Sequence, residues 1–326
     1  MKYLVLPDKK ERRLIFYLAM EEFAATELDE RESFFTWRVA PTVIFGRNQL
    51  MEAEVDVSYC RQNDIQLYRR KSGGGCVYSD WGNLMLSYII EGENVPFLFD
   101  RYLRRIAFSL HKKGINAVAT GRNDILIDGK KISGNAFLKL HKRCIIHGTM
   151  LYDTDFSQME RALTPSAAKL ESKGVASVRK RVANLRDYTD MDIHQLADYF
   201  TSELCGTEKR VLTAEEVHRI EEIEQTYLED KFFKGRNPAY SITKSTKIDN
   251  VGEISVKLEL RNDIIRKVWL TGDFFALNDV DALLTNRLNG VHLSDAEVRA
   301  AMKNIDIGEY IHNLTNEQLI KLILKP

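Results

Sequence analysis

The segment RRKSGGGCVYSDWGNL, from Arg69 to Leu84, places two arginines and a lysine just before three consecutive glycines. Glycine adopts positive φ angles without steric cost and lets the backbone approach a ligand closely. Successive N–H groups in such a loop converge on an anion, and an arginine beside them adds a fixed positive charge. The segment therefore predicts a phosphate cradle, although a glycine-rich hairpin with surface arginines explains the loop alone equally well. Neither the GxxxxGKS/T loop nor GxGxxG occurs here.

A second segment, TGRNDILIDGKKISGNAF from Thr120 to Phe137, contains further polar residues close to a predicted turn. The Asp128–Gly129 pair is a hairpin signal that folds DILI back against KKIS. Alternation along a strand then predicts two faces, one with Lys131 and Ser133 and the other with Lys130 and Ile132.

Asn123 and Asp124 precede the first strand of this predicted hairpin. Carboxylate and amide oxygens are hard ligands of the kind that Mg²⁺ prefers. The pair therefore predicts a magnesium site, and the alternative is an Asx pair that only caps a turn.

Composition excludes several classes of function. The chain has 326 residues with 47 basic and 47 acidic side chains, so a broadly basic nucleic-acid binder is not expected. The sequence contains no apolar run of roughly 18 residues, so no membrane-spanning helix is expected. The N-terminal apolar stretch is also too short for a signal peptide. The four cysteines are too far apart for a metal knuckle or redox pair, which favours reduced thiols in a cytoplasmic protein. The seven histidines contain no HExxH pattern, so no zinc site is predicted.

The pattern along the chain predicts two domains. The first 150 residues or so contain mainly short β-rich runs, interrupted by one clear helix around Phe99 to Leu110. From about 155 the pattern is helical, and a polar stretch at about 230–245 marks a boundary. Beyond it, Glu253 to Leu260 alternates strictly, as in a strand with one wet face, and two helices follow. Capping boxes are predicted at Thr213 with Glu216 and at Ser294 with Glu297. We therefore predict an α+β fold with domains at 1–245 and 246–326.

Six motifs, in sequence order, resemble those of the bacterial lipoate–protein ligases, whose superfamily also includes biotin ligases and octanoyl transferases. They are WRVAPTVIFGRNQ (37–49), RRKSGGGCVYSDWGNL (69–84), GRNDI (121–125), KISGNA (131–136), HGTMLY (147–152) and GVASVRKRVANL (174–185). The resemblance covers most of residues 1–190 and implies a catalytic domain built on a mixed sheet. After 245 it is weaker, but the strand hairpin and helices are similar to the accessory domain of full-length ligases.

The resemblance implies a two-step reaction that uses ATP and Mg²⁺. Lipoate would be activated to lipoyl-adenylate, and the acyl group would then pass to a lysine of a lipoyl domain. Acceptors in the family are 2-oxoacid dehydrogenase acyltransferase subunits and the glycine-cleavage H protein. One alternative is a transferase that moves octanoyl or lipoyl groups between carrier proteins without ATP, and another is a non-enzymatic ligand-binding relative. The accessory domain favours the ligase, because the transferases do without it.

The resemblance also implies roles for individual residues. Lys131 is the implied catalytic residue, which would bridge the lipoate carboxylate and the α-phosphate. The residues implied at the ATP phosphates are Arg70, Lys131 and the backbone of Gly75, Cys76, Val77 and Tyr78. Those implied at lipoate are Ser72, Gly74, Lys131 and His147. Those implied at Mg²⁺ are Asn123 and Asp124, while Asn83 would support the loop.

Some residues allow a second interpretation. A related transferase class uses a cysteine nucleophile, but Cys76 is favoured as a small packed residue. Cys144 would face the opposite side of a strand from His147, which argues against a Cys–His dyad. Lys71 is expected to face water, and the basic run at 177–186 would contact an acidic carrier domain or be a solvated loop. Four aromatic residues would line an apolar slot for the lipoyl tail or belong to the core: Trp37, Phe34, Phe35 and Phe45.

Overall fold

The computed structural model describes residues 1–120, 122–163, 181–234 and 242–325. The strands in these ranges are β1 (Lys2–Val5), β2 (Glu32–Trp37), β3 (Thr42–Phe45), β4 (Gln66–Arg69), β5 (Val77–Ser79), β6 (Asn83–Glu91), β7 (Ala117–Ala119), β8 (Asp124–Ile127), β9 (Lys130–Leu140), β10 (Arg143–Leu151), β11 (Lys209–Val211), β12 (Ile242–Ile248), β13 (Gly252–Arg261) and β14 (Ile264–Gly272). The helices are α1 (Leu14–Thr26), α2 (Met51–Glu54), α3 (Val57–Gln62), α4 (Val95–His111), α5 (Phe156–Ala162), α6 (Ile193–Cys205), α7 (Ala214–Leu228), α8 (Asp230–Lys234), α9 (Val280–Leu288), α10 (Asp295–Ala301) and α11 (Asn316–Leu324). Short 3₁₀ turns lie at Leu185–Tyr188 and Ile307–Glu309.

The main sheet is mixed, as predicted. Within the described residues it has the strand order β11-β1-β2-β6-β10-β9-β8-β7. The β11–β1 and β1–β2 pairs are parallel, and the remaining pairs are antiparallel. The long antiparallel strands β6, β10 and β9 form its centre. The prediction of an α+β fold is confirmed.

Helices cover both faces of the main sheet. Helices α4 and α6 contribute to the core on one face, and α1 and α7 to the core on the other. Helix α4 begins at Val95, where the Asn94 side chain caps it, and it buries five apolar residues that recur at helical spacing: Phe99, Leu103, Ile106, Ala107 and Leu110. None of the described helices is long and apolar enough to cross a membrane.

Helix α1 lies between the main sheet and α7, and the sequence analysis did not predict it. Ten of its thirteen residues are buried. Because apolar side chains surround the helix, no polar stripe marks a period of 3.6 residues. The expectation of a single clear helix in the first 150 residues is therefore wrong. The omission matters because α1 also contains Glu21, a buried carboxylate.

A small second sheet holds the glycine-rich segment in place. Its strand order is β4-β3-β5, so the chain from β4 to β5 crosses the end of β3. Helices α3 and α5 pack against this sheet in a separate core. The loop between Arg69 and Val77 is consequently anchored at both ends by strands that pair with the same neighbour.

The C-terminal part has its own core and its own three-stranded antiparallel sheet, β12-β13-β14. Asn262 and Asp263 form the turn from β13 to β14 with positive φ angles, which asparagine and aspartate adopt more readily than most residues. Thr213 and Glu216 form the predicted capping box at α7. At α10 the predicted capping box of Ser294 with Glu297 is only half formed. Ser294 accepts a hydrogen bond from the N–H of Glu297, but the Glu297 carboxylate accepts from the N–H of His292.

The end of β14 and the segment that follows it contact the large part of the chain. The N–H of Gly272 donates to the carbonyl oxygen of Asn48 at 2.9 Å. The ring of Phe275 belongs to the core on the α4 face of the main sheet and stacks on Phe137 at 5.1 Å. Arg122 donates to the backbone oxygen of Asp273 at 2.6 Å. These contacts bring the C-terminal sheet to the edge of the glycine loop.

Candidate active site

Arg70 organises the glycine loop from inside. Its side chain is 4% exposed and donates to the carbonyl oxygens of Gly73 at 2.7 Å, Gly75 at 2.8 Å and Ile44 at 3.2 Å. A trans peptide places its N–H opposite its C=O. Drawing the Gly75 carbonyl toward Arg70 therefore directs the N–H of the next residue, Cys76, away from the guanidinium. The arginine thus shapes the backbone that was predicted to bind phosphate.

Arg69 has a similar role on the neighbouring loop. It donates to the carbonyl oxygens of Arg47 at 2.9 Å and Gln49 at 2.8 Å, and its guanidinium lies over the Phe45 ring. Burial disfavours the charged form and lowers the pKa of both Arg69 and Arg70 to about 10. Both remain cations at neutral pH. The sequence correctly indicates positive charge beside the glycines, but these donors are directed at the backbone.

Two of the three glycines are required by the approach of the C-terminal part. A Cβ at Gly73 would overlap the carbonyl oxygen of Phe274, and a Cβ at Gly74 would lie 2.9 Å from the Phe275 ring. Gly74 also has a φ of +88°, which favours glycine. The triple glycine therefore serves the contact between the two parts of the chain as well as the shape of the loop.

Lys131 lies at the start of β9, opposite the glycine loop. Its ammonium group forms an ion pair with Asp124 at 2.8 Å, and its side chain is 29% exposed. Its backbone oxygen accepts from the N–H of Ala183 at 3.0 Å, which brings the chain after residue 180 to the same place. Lys130 is exposed. The lysine is thus held near a carboxylate but retains access to solvent.

The predicted pairing of Lys131 with Ser133 on one face is wrong. The register between β8 and β9 shifts between Ile125 and Leu126, so Ile132 has no partner in the ladder. This bulge reverses the alternation. Lys131 lies on the face of Gly134, where an added Cβ would overlap its ammonium group. Ser133 is buried on the other face.

Two cavities meet at Lys131. One part of the first cavity's wall is apolar and includes one imidazole; it is formed by Leu18, Trp37, Ile44, Met85, Ala136 and His147. Arg70, Asn135 and Thr149 also line this cavity. The second has a charged wall that includes Arg122, Asp124, Arg181 and Asp273. Lys131, Asn123 and the segment 75–77 line both cavities. The arrangement suits two ligands, one with an apolar tail and one anionic, whose reacting ends meet beside the ammonium group.

The residues implied by the resemblance divide between these cavities. Gly75, Cys76, Val77 and Tyr78 all line the charged cavity, whereas Gly74 and His147 line the apolar one. Arg70 lines the apolar cavity. Ser72 is 1% exposed and lines neither cavity, because it lies behind His147 with its hydroxyl 2.8 Å from Nε2. Asn83 is fully buried and donates to the carbonyl oxygen of Tyr78 at 3.5 Å.

Comparison with known proteins assigns the chain to a family. Residues 14–205 match the model of the lipoyl protein ligase A/B catalytic domain, and residues 237–323 match the bacterial lipoate protein ligase C-terminus. The chain is 34% identical to lipoate–protein ligase 1 of Staphylococcus aureus over 314 residues, which cover 94% of this chain and 95% of the relative. The chain belongs to the lipoate–protein ligase family.

Solved ligase structures have the same fold. A lipoate-protein ligase A bound with ATP is 25% identical and has a TM-score of 0.61, over 71% of this chain and 97% of that one. A bipartite lipoate protein ligase from Thermoplasma acidophilum, described with its E2 lipoyl domain, is 26% identical and has a TM-score of 0.64, over 74% of this chain and 98% of that one.

The Asn123–Asp124 pair of this ligase is compatible with Mg²⁺. The Asn123 amide donates to the carbonyl oxygen of Asn135 at 2.9 Å, which fixes the side chain at the junction of the two cavities. Within the described residues, no group of three His, Cys, Asp or Glu side chains is placed to hold a metal ion. One carboxylate and one amide suit Mg²⁺ that is also bound by substrate phosphates, the usual arrangement for this ion.

Several alternatives are decided by burial. Cys144 is fully buried and faces away from His147, so the structure agrees with the argument against a dyad. Lys71 does not simply face water, because it donates to Glu22 at 2.6 Å and to Thr226 at 3.1 Å.

Trp37 lines the apolar cavity, whereas Phe34, Phe35 and Phe45 belong to the core. Of the basic run, only 181–186 lies within the described residues.

Two residues near the cavities come from distant segments, and the sequence motifs did not predict them. Glu21 on α1 bonds His147, and Asp273 belongs to the C-terminal part. The available signal for Glu21 was a pair of acidic residues inside the apolar run LIFYLAMEEFAAT. A charge in such a run requires a buried partner. The position of Asp273 depends on how the two parts of the chain meet, and no local pattern encodes that contact.

The cysteines of the ligase provide a chemical test of these positions. Burial raises the pKa of the Cys60 and Cys205 thiols to about 11 and that of Cys144 to about 12. A raised thiol pKa leaves little thiolate at pH 8, so these three are expected to react slowly with iodoacetamide. Cys76, half-buried between the cavities, is expected to react first.

Peptide mass spectrometry after timed alkylation measures the order of reaction, with the denatured chain as the control in which all four react. Lipoate and ATP together should slow the reaction at Cys76 alone. Fast labelling of Cys144 in the folded protein would contradict the described packing.

Proposed function

We propose that this chain activates lipoate with ATP to form lipoyl-adenylate and transfers the lipoyl group to a lysine of a lipoyl domain. The observation that carries the proposal is the junction of an apolar and a charged cavity at Lys131. A carboxylate and a triphosphate repel each other, so their reaction requires fixed positive charge where they meet. The names of the relatives and the ATP-bound neighbour support the same reaction.

Lys131 has the central role in this proposal. Its ammonium group would contact the lipoate carboxylate and the α-phosphate, exchanging its ion pair with Asp124 for the substrate oxygens. The backbone of Gly75 to Tyr78 would donate to the phosphates, and Arg181 would add charge on the opposite wall. Arg70 would act mainly by holding the loop and through its positive field.

Asn123 and Asp124 would hold Mg²⁺. When bound, the ion neutralises charge on the phosphate oxygens. Once Lys131 has exchanged Asp124 for the substrate oxygens, the Asp124 carboxylate would be available to the ion. On the apolar side, His147 and Trp37 would bound the slot for the lipoyl tail.

The acceptor of the acyl group is proposed to be a lipoyl domain of a 2-oxoacid dehydrogenase acyltransferase subunit or the glycine-cleavage H protein. The Thermoplasma acidophilum ligase described with its E2 lipoyl domain supports the first class. We further propose a catalytic domain at 1–245, an accessory domain at 246–326 and a cytoplasmic location, for which four cysteines outside any disulfide bond are suited.

The proposal is tested in two assays with purified protein. Lipoate-dependent exchange of labelled pyrophosphate into ATP measures the first step, and the mass of a lipoyl domain after incubation with lipoate, ATP and Mg²⁺ measures the second. The control is a lipoyl domain whose acceptor lysine is replaced by arginine. Acyl transfer without any exchange would favour the ATP-independent transferase and overturn the ligase.

A further inference from the structure

A continuous chain of buried hydrogen bonds joins the glycine loop to the wall of the apolar cavity. Arg70 Nε lies 3.0 Å from the hydroxyl of Ser72, which lies 2.8 Å from Nε2 of His147. The other ring nitrogen, Nδ1, lies 2.7 Å from Glu21. A second arm reaches the same carboxylate, because Trp37 Nε1 donates to the hydroxyl of Ser87 at 2.8 Å and Ser87 donates to Glu21.

The N–H donors at the two ends of this chain fix the direction of the first bond in each arm. Arginine and tryptophan N–H groups only donate. Among the hydrogen bonds described for Ser72, Nε2 of His147 is the only acceptor for its hydroxyl hydrogen, so that hydrogen is assigned to Nε2. The imidazole then carries its own hydrogen on Nδ1 and donates it to Glu21. Glu21 accepts from both arms, one bond at each oxygen, as an ionised carboxylate does.

The network also links two buried charges through neutral groups. Arg70 is 4% exposed and Glu21 is 2% exposed, and the hydrogen bonds described for each side chain go to neutral partners. A buried charge is tolerated when its bonds are satisfied and an opposite charge is near. The polarised Ser72–His147 segment supplies that connection, so the cation in the loop and the anion on α1 stabilise each other.

We propose that Glu21 is a positioning residue for the acyl substrate. It does not line the apolar cavity, but it holds two side chains that do, His147 directly and Trp37 through Ser87, and it sets the tautomer of His147. Through Ser72 it aligns that wall with the glycine loop. This inference rests on the proposed function, because it takes the apolar cavity as the lipoate slot. Glu21 should therefore govern the affinity for the acid far more than the affinity for ATP.

Glu21→Gln is the decisive variant because it preserves the shape of the side chain and reverses the direction of the hydrogen bond to Nδ1 of His147. The amide oxygen can still accept from Ser87, and the amide nitrogen then donates to Nδ1 of His147. That forces the imidazole hydrogen onto Nε2, so Ser72 would have to accept from both Arg70 and His147, and its own hydroxyl hydrogen would lose its acceptor. A residue with only a packing role would tolerate this exchange.

The matched control is Glu22→Gln, one position further along the same helix. Glu22 accepts from Lys71 and from Tyr227, outside the network. Nitrogen NMR of His147 should report Nδ1–H in the wild type and in E22Q, and Nε2–H in E21Q. In pyrophosphate exchange, E21Q should raise KM for lipoate about tenfold or more, as for loss of a bond to a charged group. KM for ATP should stay within about twofold of the wild-type value.

Ser87→Ala is a second variant that tests the other arm if E21Q folds poorly. It should raise KM for lipoate, because Trp37 loses its acceptor, but leave the His147 tautomer unchanged. An unchanged tautomer in E21Q, or a KM for lipoate equal to that of E22Q, would overturn the inference. Absence of exchange in the wild type would instead refute the proposed ligase reaction, and the NMR result would still decide whether Glu21 sets the tautomer.

Discussion

Lys131→Ala is expected to lower the rate of lipoate-dependent pyrophosphate exchange by about 10²–10³-fold, the usual loss when one fixed donor is removed from a site of developing charge. Lys131 is the only lysine, among the described residues, that lines both cavities. Without its ammonium group, the carboxylate and the phosphate would meet without the positive charge that lies between the two cavities. Because the side chain is partly exposed, folding should be preserved, which circular dichroism and the urea midpoint would show.

Lys130→Ala is the matched control for this variant. Lys130 is the adjacent residue, carries the same charge and is exposed. It should retain exchange activity within about twofold of the wild type, since surface substitutions change free energies by only about 0.5 kcal/mol. Equal loss in both variants would mean that general positive charge matters and that Lys131 has no special position. Unchanged activity in Lys131→Ala would place the reaction elsewhere.

The fold was predictable where a helix or strand has apolar residues on one face and polar residues on the other. Helix α4 and strand β13 each have an apolar face and a polar face, so the sequence predicted both. Helix α1 was missed because it is covered on every side, between the main sheet and α7. A helix without a polar face has no amphipathic period to detect.

The candidate site was predictable at the level of motifs but not of side-chain direction. The glycine loop and the hairpin that starts at Asp124 lie together, as the resemblance implied. The bulge at Ile132 was not predictable, because alternation assumes a regular ladder. As a result, Lys131 reaches the site on the face of Gly134, and Ser133 does not.

The loop arginines illustrate a further limit of reading charge from sequence. A cation beside glycines is compatible with two partners, a bound anion or the carbonyl oxygens of the loop itself. In the structure Arg70 donates to three carbonyl oxygens and one hydroxyl. The two roles are distinguishable by experiment. A lysine can replace an arginine that supplies only a positive charge, but not one whose planar guanidinium donates several hydrogen bonds at once.

Arg70→Lys is therefore expected to destabilise the protein by about 2–4 kcal/mol, because a single ammonium group cannot reach acceptors at both ends of the guanidinium and leaves buried carbonyls unsatisfied. Urea unfolding measures the change. The matched control is Arg47→Lys, an exposed arginine of the neighbouring loop, which should alter stability by no more than about 0.5 kcal/mol.

Ligand binding then separates the two roles of Arg70. If the arginine mainly holds the loop, Arg70→Lys should weaken the binding of lipoate and ATP together, since the loop lines both cavities. If it mainly binds phosphate, the variant should keep wild-type stability and lose affinity for ATP alone. Calorimetric titration with each ligand distinguishes the outcomes. The buried contacts of Arg70 with Gly73 and Gly75 lead us to expect the first.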